Sequence, residues 1–191
     1  NEGLAYAKDR KQFGKAIIEF PAVYDMLAIM KGKLDAGRAL LYQTARYVDI
    51  YKALDDIARE RKLTPEERQE QKKYAKLADS FTPLAKGMNS EYANQNAYDC
   101  IQIHGGSGFM MEYACQRIYR DARITSIYEG TTQLQTVAAI RYVTNGSYIA
   151  TIREFEAIPC SPEMEPLMSR LKKMADKFEA STNAVKEAQD Q

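Results

Sequence analysis

The sequence of 191 residues is long enough to bury a sizeable hydrophobic core, and it predicts one domain. Its composition, 45% hydrophobic and 28% charged, is typical of a globular protein. The net charge of +1 gives no electrostatic reason to bind nucleic acid or an anionic membrane, and there is no apolar run of membrane-spanning length and no signal-peptide pattern. We therefore expect a cytoplasmic protein with no nucleic-acid or membrane partner. Because the chain begins with Asn1, we expect a fragment or a processed product.

Helical periodicity dominates the first sixty residues. Residues 2–9 read as the end of a helix, and Gly14 suits a helix stop or a turn. Pro21 is placed for a first helical turn, and apolar residues then recur at helical spacing, which predicts a long helix over 22–53. The charged stretch that follows, 54–62, is expected to be a solvated face or a loop insertion.

A second long helix is predicted from a clear start signal. Thr64-Pro65-Glu66-Glu67 combines a threonine cap, a proline at the first position and a glutamate at the third. The apolar pattern continues to about Ile103, and Pro83 should kink or divide this helix. A glycine-rich loop over 104–109 and a shorter helix over 112–119 come next.

The last third of the chain is also predicted to be helical. One helix runs from Thr132 to about Asn145 and resumes through Phe155. Prolines at 159 and 162 then break the chain before an amphipathic helix over 163–188.

These elements predict an all-α fold, because no stretch shows the alternation of a strand and no repeat is present. We expect an antiparallel helical bundle over residues 1–150, followed by a helical C-terminal extension over 151–191. The three cysteines, at 100, 115 and 160, have no metal-ligand spacing and are expected to be buried or half-buried thiols in a reducing compartment, with no metal site.

One carboxylate stands out, in Ile127-Tyr128-Glu129-Gly130-Thr131-Thr132. Gly130 permits a tight turn, and Thr131 or Thr132 can cap the next helix, with Thr132 and Gln135 spaced as a capping box. Under apolar cover and beside backbone N–H groups, Glu129 is a candidate general base. The alternative is a solvated glutamate whose charge favours the start of a helix.

Two further motifs precede it. Arg10-x-Gln12-Phe13-Gly14-Lys15 offers a guanidinium suited to phosphate beside an aromatic ring. Gln102-x-His104-Gly105-Gly106-x-Gly108-Phe109 offers backbone N–H groups that an anion or a flat ring can approach. Without a preceding strand, the second motif is neither a Rossmann nor a P-loop fingerprint.

In this order the three motifs closely resemble the C-terminal helical domain of the acyl-CoA dehydrogenase family. The similarity covers about residues 3–145 and includes Tyr119-Arg120-Asp121-Ala122-Arg123-Ile124. It implies an FAD-dependent enzyme that oxidises acyl-CoA thioesters to trans-2-enoyl-CoA, with Glu129 removing the α-proton and Gly130 beside the thioester. By the same resemblance, Thr131 and Gln133 contact the FAD of their own subunit. The FAD of a neighbouring subunit is expected to be reached by Arg10, Gln12, Phe13, Gln102, Gly105 and Gly106.

The resemblance also implies partners: an acyl-CoA substrate, an electron-transfer flavoprotein or similar acceptor, and a homodimer or homotetramer. The charged segment at 55–73 and the tail beyond 150 are longer than in short family members and suggest a larger subfamily. His104 is expected to be a packing or hydrogen-bonding residue rather than an acid–base. Two alternatives stay open: an acyl-CoA oxidase, which passes electrons to oxygen, and a non-catalytic helical assembly or nucleic-acid-binding relative.

Overall fold

Helices account for nearly all regular structure in the computed structural model, which describes residues 1–189; the last two residues of the expected extension lie outside it. The helices, in chain order, are α1 (Glu2–Asp9), α2 (Pro21–Glu60), α3 (Pro65–His104), α4 (Gly106–Phe109), α5 (Ala114–Thr125), α6 (Thr132–Thr144), α7 (Ser147–Glu156) and α8 (Glu165–Gln189). A hairpin of two short antiparallel strands, β1 (Lys11–Gln12) and β2 (Lys15–Ala16), joins α1 to α2. The predicted all-α bundle with an additional C-terminal helix is confirmed.

Helix α3 is the central element, because α1, α2, α5 and α6 all pack against it. Helices α2 and α3 form a long antiparallel hairpin, and α6, α7 and α8 close one end of it. The core there is aromatic: Phe81 meets Tyr47 and Tyr148 edge-on, with ring centroids 5.3 and 5.5 Å apart. Such pairs add to the hydrophobic gain from burying large side chains.

The predicted start of α3 is confirmed in detail. The Thr64 hydroxyl accepts from the Glu67 N–H, and the Glu67 carboxylate accepts from the Thr64 N–H, so the capping box is complete. Both oxygens of Glu67 also bind the Arg61 guanidinium, at 2.6 and 2.8 Å. These bonds, led by that of Arg61, lower the pKa of Glu67 to about 2.

One predicted helix boundary changes, because α2 continues past 53 to Glu60 with Leu54 buried. The charged stretch is therefore the solvated face of a helix and not a loop insertion. Pro83 does not divide α3, although it lies inside the helix. Close to this proline, the Tyr148 hydroxyl donates to the Ser80 carbonyl at 2.6 Å.

Other local expectations are corrected as well. Of the two alternatives for Gly14, the structure shows the turn, since Gly14 lies in the hairpin; the residues after His104 form the short helix α4 instead of an open loop. The helix expected at 112–119 is α5, which begins later and continues to Thr125. Cys100 and Cys115 are buried as free thiols, but Cys160 is exposed.

The C-terminal helices are joined by an ionic cluster. The predicted break around the two prolines is confirmed, since α7 ends at Glu156 and α8 begins at Glu165. Arg153 on α7 binds Glu156 on its own helix and reaches across to Asp176 and Glu179 on α8, each within 2.8 Å. Among the described residues, no helix is long and apolar enough to cross a membrane.

Candidate active site

Glu129 lies at the tip of a tight turn between α5 and α6. Its backbone adopts φ 52°, in the left-handed region that few residues other than glycine occupy, and Gly130 follows at φ 93°. The Thr132 N–H closes the turn by donating to the Ser126 carbonyl at 3.2 Å. We call residues 126–132 the Glu129 turn. A non-glycine residue in this conformation is strained, and such strain concentrates at functional sites.

The start of α6 fixes the turn from its C-terminal side. Thr131 is the cap, since its hydroxyl accepts from the Leu134 N–H. The capping box expected from Thr132 and Gln135 is therefore wrong. The Gln135 amide instead donates to the Glu129 carbonyl at 3.0 Å. Glycine suits position 130 because its φ of 93° is a conformation that residues with a Cβ rarely adopt.

Two side chains of helix α3 contact the Glu129 turn. The Lys86 ammonium donates to the Gly130 carbonyl at 2.6 Å, and the Thr132 hydroxyl donates to Glu91 Oε1 at 2.5 Å. Both contacts come from a single helix, which itself packs against α1, α2, α5 and α6. The position of Glu129 is thus set by the rigid centre of the bundle.

The carboxylate is open to solvent. Glu129 is exposed, and its apolar neighbours Ile127 and Tyr128 are themselves 43% and 51% exposed. The expected apolar cover is therefore absent from the described part of this chain. The backbone N–H groups of Glu129 and Gly130 find no acceptor among residues 1–189, so they remain available as donors to a ligand.

The other two motifs meet at a different place. The hairpin and the end of α3 surround a cavity of about 520 Å³. Its lining includes six predicted site residues: Arg10, Gln12, Phe13, Gln102, Gly105 and Gly106.

Local backbone geometry opens this cavity. Phe13 occupies the hairpin turn at φ 51°, which leaves its ring 91% exposed, and Gly105 ends α3 at φ 59°. A Cβ at Gly105 or Gly106 would meet nothing within 4 Å, so a ligand can approach this backbone closely. The Arg10 side chain is exposed and has no acidic partner in the described residues.

His104 forms part of the cavity wall but is held by packing. It is 5% exposed and stacks on Tyr6 with ring centroids 4.2 Å apart, while Nδ1 lies 2.8 Å from the Cys100 carbonyl. This geometry supports the expected packing role. Burial raises the pKa of the neighbouring Cys100 thiol, with a further contribution from Cys115, so the thiol stays protonated.

The chain does not bring all predicted site residues together. Gln133 lines a separate cavity of about 420 Å³ between α3 and α5, which shares no lining residue with the first cavity. Sequence reasoning missed Tyr6 and Ser107, which line the first cavity, and Lys86, which holds the Glu129 turn. Nothing local marks Lys86, because it lies 44 residues before the carbonyl that it binds.

Comparison with known proteins identifies the family. Residues 1–143 match the family model described as the C-terminal domain of acyl-CoA dehydrogenase. The chain belongs to the acyl-CoA dehydrogenase family. Residues 144–191 match a second model, described as acyl-CoA dehydrogenase C terminal.

Individual relatives agree with this assignment. The caffeyl-CoA reductase–Etf complex subunit CarC of Acetobacterium woodii is 38% identical over 135 residues, which are 71% of this chain and 29% of that protein. Butyryl-CoA dehydrogenase from Megasphaera elsdenii superposes with a TM-score of 0.54 and 30% identity, over 72% of this chain and 30% of that one. The FAD complex of PigA gives 0.58 and 28%, over 74% and 30%. The chain thus spans under a third of the length of each relative.

Proposed function

We propose that this chain is the domain that supplies the catalytic base to an FAD-dependent acyl-CoA dehydrogenase. The observation that carries the proposal is the conformation of Glu129, a strained carboxylate-bearing residue fixed by α3 and α6. A glutamate that merely favours a helix start needs neither the left-handed backbone nor the donors that hold it. The family's Tyr-Glu-Gly-Thr motif stands at the same residues.

The cavity beside the hairpin fits FAD. The diphosphate suits the unpaired guanidinium of Arg10, and the open backbone at Gly105 and Gly106 admits a close ligand. Phe13 offers an exposed ring for stacking, and Gln12 and Gln102 offer amides. FAD would supply the acceptor for the two electrons and the hydrogen removed from the β-carbon. We propose that this cavity serves a neighbouring subunit, while Thr131 and Gln133 serve their own.

The residues of the chain account for the proton transfer. A Glu129 carboxylate oxygen would take the α-proton, which breaks the α C–H bond and leaves its electron pair on the thioester-stabilised carbon. We propose that the free N–H groups of Glu129 and Gly130 donate to the thioester carbonyl, where negative charge develops. Water must be excluded for this chemistry, and we assign that task to polypeptide outside this chain, because Ile127 and Tyr128 are exposed here.

The proposed electron acceptor is an electron-transfer flavoprotein. Its support is a relative named as a subunit of an Etf complex. The oxidase alternative differs in using oxygen, so peroxide release during turnover would identify it.

The base assignment is tested with Glu129→Gln in the complete flavin-loaded enzyme. The amide keeps the shape of the side chain but cannot accept the proton. We expect anaerobic flavin bleaching at saturating acyl-CoA to slow by about 10²–10⁴-fold, with thioester binding retained. Glu112→Gln, the same change at an exposed site in the loop before α5, should leave the rate unchanged.

A contrasting variant tests the cavity. Arg10→Lys should lower flavin retention but leave the bleaching rate per bound flavin intact, because a lysine ammonium cannot replace the bidentate hydrogen bonding of a guanidinium to phosphate.

A Glu129→Gln enzyme that bleaches within a few-fold of the parent would contradict the base assignment and move the base to another residue.

A further inference from the structure

The Gly130 carbonyl receives an unusual partner. Lys86 sits half-buried on α3 between Ala85 and Gly87, and its ammonium donates to this carbonyl at 2.6 Å. The same ammonium lies 5.9 Å from the centroid of the Tyr128 ring. Within residues 1–189 it forms no ion pair with a carboxylate.

A lysine held in this way is not explained by stability alone. Withdrawing an ammonium from water is unfavourable, and a single carbonyl compensates it less well than a carboxylate would. Lysines elsewhere on α3, such as Lys72 and Lys76, are exposed. The position of Lys86 is therefore better explained by what its ammonium holds than by the stability of α3.

A second donor acts on the adjoining peptide. Gln135 donates to the Glu129 carbonyl, so both carbonyls of the two left-handed residues accept a hydrogen bond from a side chain. Strained backbone persists only where the surroundings over-determine it. A donor on a peptide carbonyl also polarises the N–H of the same peptide unit. For the peptide that Gln135 contacts, that group is the Gly130 N–H.

We propose that Lys86 and Gln135 are positioning residues for the catalytic base, clamping the Glu129 turn through its two carbonyls so that the carboxylate and the adjacent N–H groups keep their mutual geometry. This inference rests on the proposed function of Glu129. Neither side chain touches the substrate. Loss of either donor lets the two residues relax towards ordinary backbone angles, which displaces the carboxylate from the α-carbon.

The test compares Lys86→Met, Lys86→Arg and the matched control Lys76→Met in the complete flavin-loaded enzyme. We expect Lys86→Met to slow flavin bleaching per bound flavin by about 10–100-fold at saturating acyl-CoA, with the thioester Kd changed less than about threefold. Lys86→Arg should recover most of the rate, because a guanidinium can also donate to the carbonyl. Lys76→Met should match the parent.

A second measurement needs no turnover. Amide hydrogen exchange of the peptide covering residues 124–136, followed by mass spectrometry, should be several-fold faster in Lys86→Met than in Lys76→Met. Gln135→Leu, which removes the other donor without touching α3, should reproduce both effects if Lys86→Met proves too unstable to purify.

The outcomes separate this inference from the proposed function. A parent enzyme that shows no acyl-CoA-dependent bleaching overturns the proposed function, and hydrogen exchange still decides whether Lys86 clamps the turn. If the parent bleaches and the Lys86→Met rate per bound flavin equals that of Lys76→Met, the positioning role is refuted. A loss of flavin content or melting temperature alone, at an unchanged rate per flavin, would likewise assign Lys86 a purely structural role.

Discussion

The buried Tyr148 should lower the stability of the fold at alkaline pH. Its hydroxyl donates to the Ser80 carbonyl at 2.6 Å, and the side chain is only 7% exposed. Burial, with a smaller contribution from Tyr142, raises the pKa of Tyr148 from 10.0 to about 12. In the unfolded chain the phenol ionises near its ordinary value, so alkaline conditions favour unfolding.

The size of the stability change follows from the hydrogen bond and the raised pKa of Tyr148. At pH 8, Tyr148→Phe removes the hydrogen bond to the Ser80 carbonyl, which should lower the free energy of unfolding by about 0.5–1.5 kcal/mol. Above pH 10 the unfolded wild-type chain releases a proton that the folded state retains, so wild-type stability falls as pH rises towards 12. A raised pKa contributes stability that is complete below the unfolded value and lost through this window. By pH 11 the advantage of wild type over Tyr148→Phe should have shrunk by about 1.4 kcal/mol.

Urea unfolding followed by circular dichroism at 222 nm, at pH 8 and pH 11, measures both quantities. Tyr42→Phe is the control, because Tyr42 is 69% exposed and should change stability little at either pH. Comparing the variants cancels the titration of the other tyrosines and the lysines. A gap between wild type and Tyr148→Phe that stays constant from pH 8 to pH 11 would refute the reasoning.

Two further predictions concern α2 and its junction with α3. Gly32→Ala should raise the free energy of unfolding by about 0.5–1 kcal/mol in thermal or urea unfolding, since a Cβ there meets nothing within 4 Å. Gly37→Ala should lack that gain, because its Cβ would lie 2.2 Å from Asn89 Oδ1. Equal gains in the two variants would contradict the close packing at Gly37. The Arg61–Glu67 pair should stabilise the fold above pH 4.5 and lose that effect as pH falls towards 2, because the folded pKa of Glu67 is lowered. Melting temperatures of Arg61→Gln should therefore fall less between pH 5 and pH 2 than those of the parent, and parallel curves would count against the pair.

The architecture was predictable because helices of this length carry their pattern locally. The apolar spacing of α2 and the Thr64 start of α3 are readable within a few turns of sequence. Boundaries failed where distant packing decides them. Leu54 is buried by tertiary packing, and α2 continues past it to Glu60. The hairpin was missed because Phe13-Gly14 lacks the usual asparagine or aspartate signal of such a turn.

The sequence revealed the candidate site only as a set of residue types in a particular order. The order identified the motifs, but it could not show that Gln135 turns back to the Glu129 carbonyl instead of completing a capping box. Nor could it find Lys86, whose role depends on where α3 crosses the Glu129 turn. The Lys86 contact is long-range, so only the tertiary structure reveals it.

Under the proposed function, the exposure of Glu129 divides the requirements for catalysis into two parts. This chain fixes the position of Glu129, because Lys86 of α3 and Gln135 of α6 hold the turn. Basicity requires a low dielectric, and this chain leaves Ile127 and Tyr128 facing solvent. The proposed function therefore assigns the covering of Glu129 to polypeptide outside this chain and to the acyl chain of the substrate, because the residues around the Glu129 turn leave the carboxylate open to solvent.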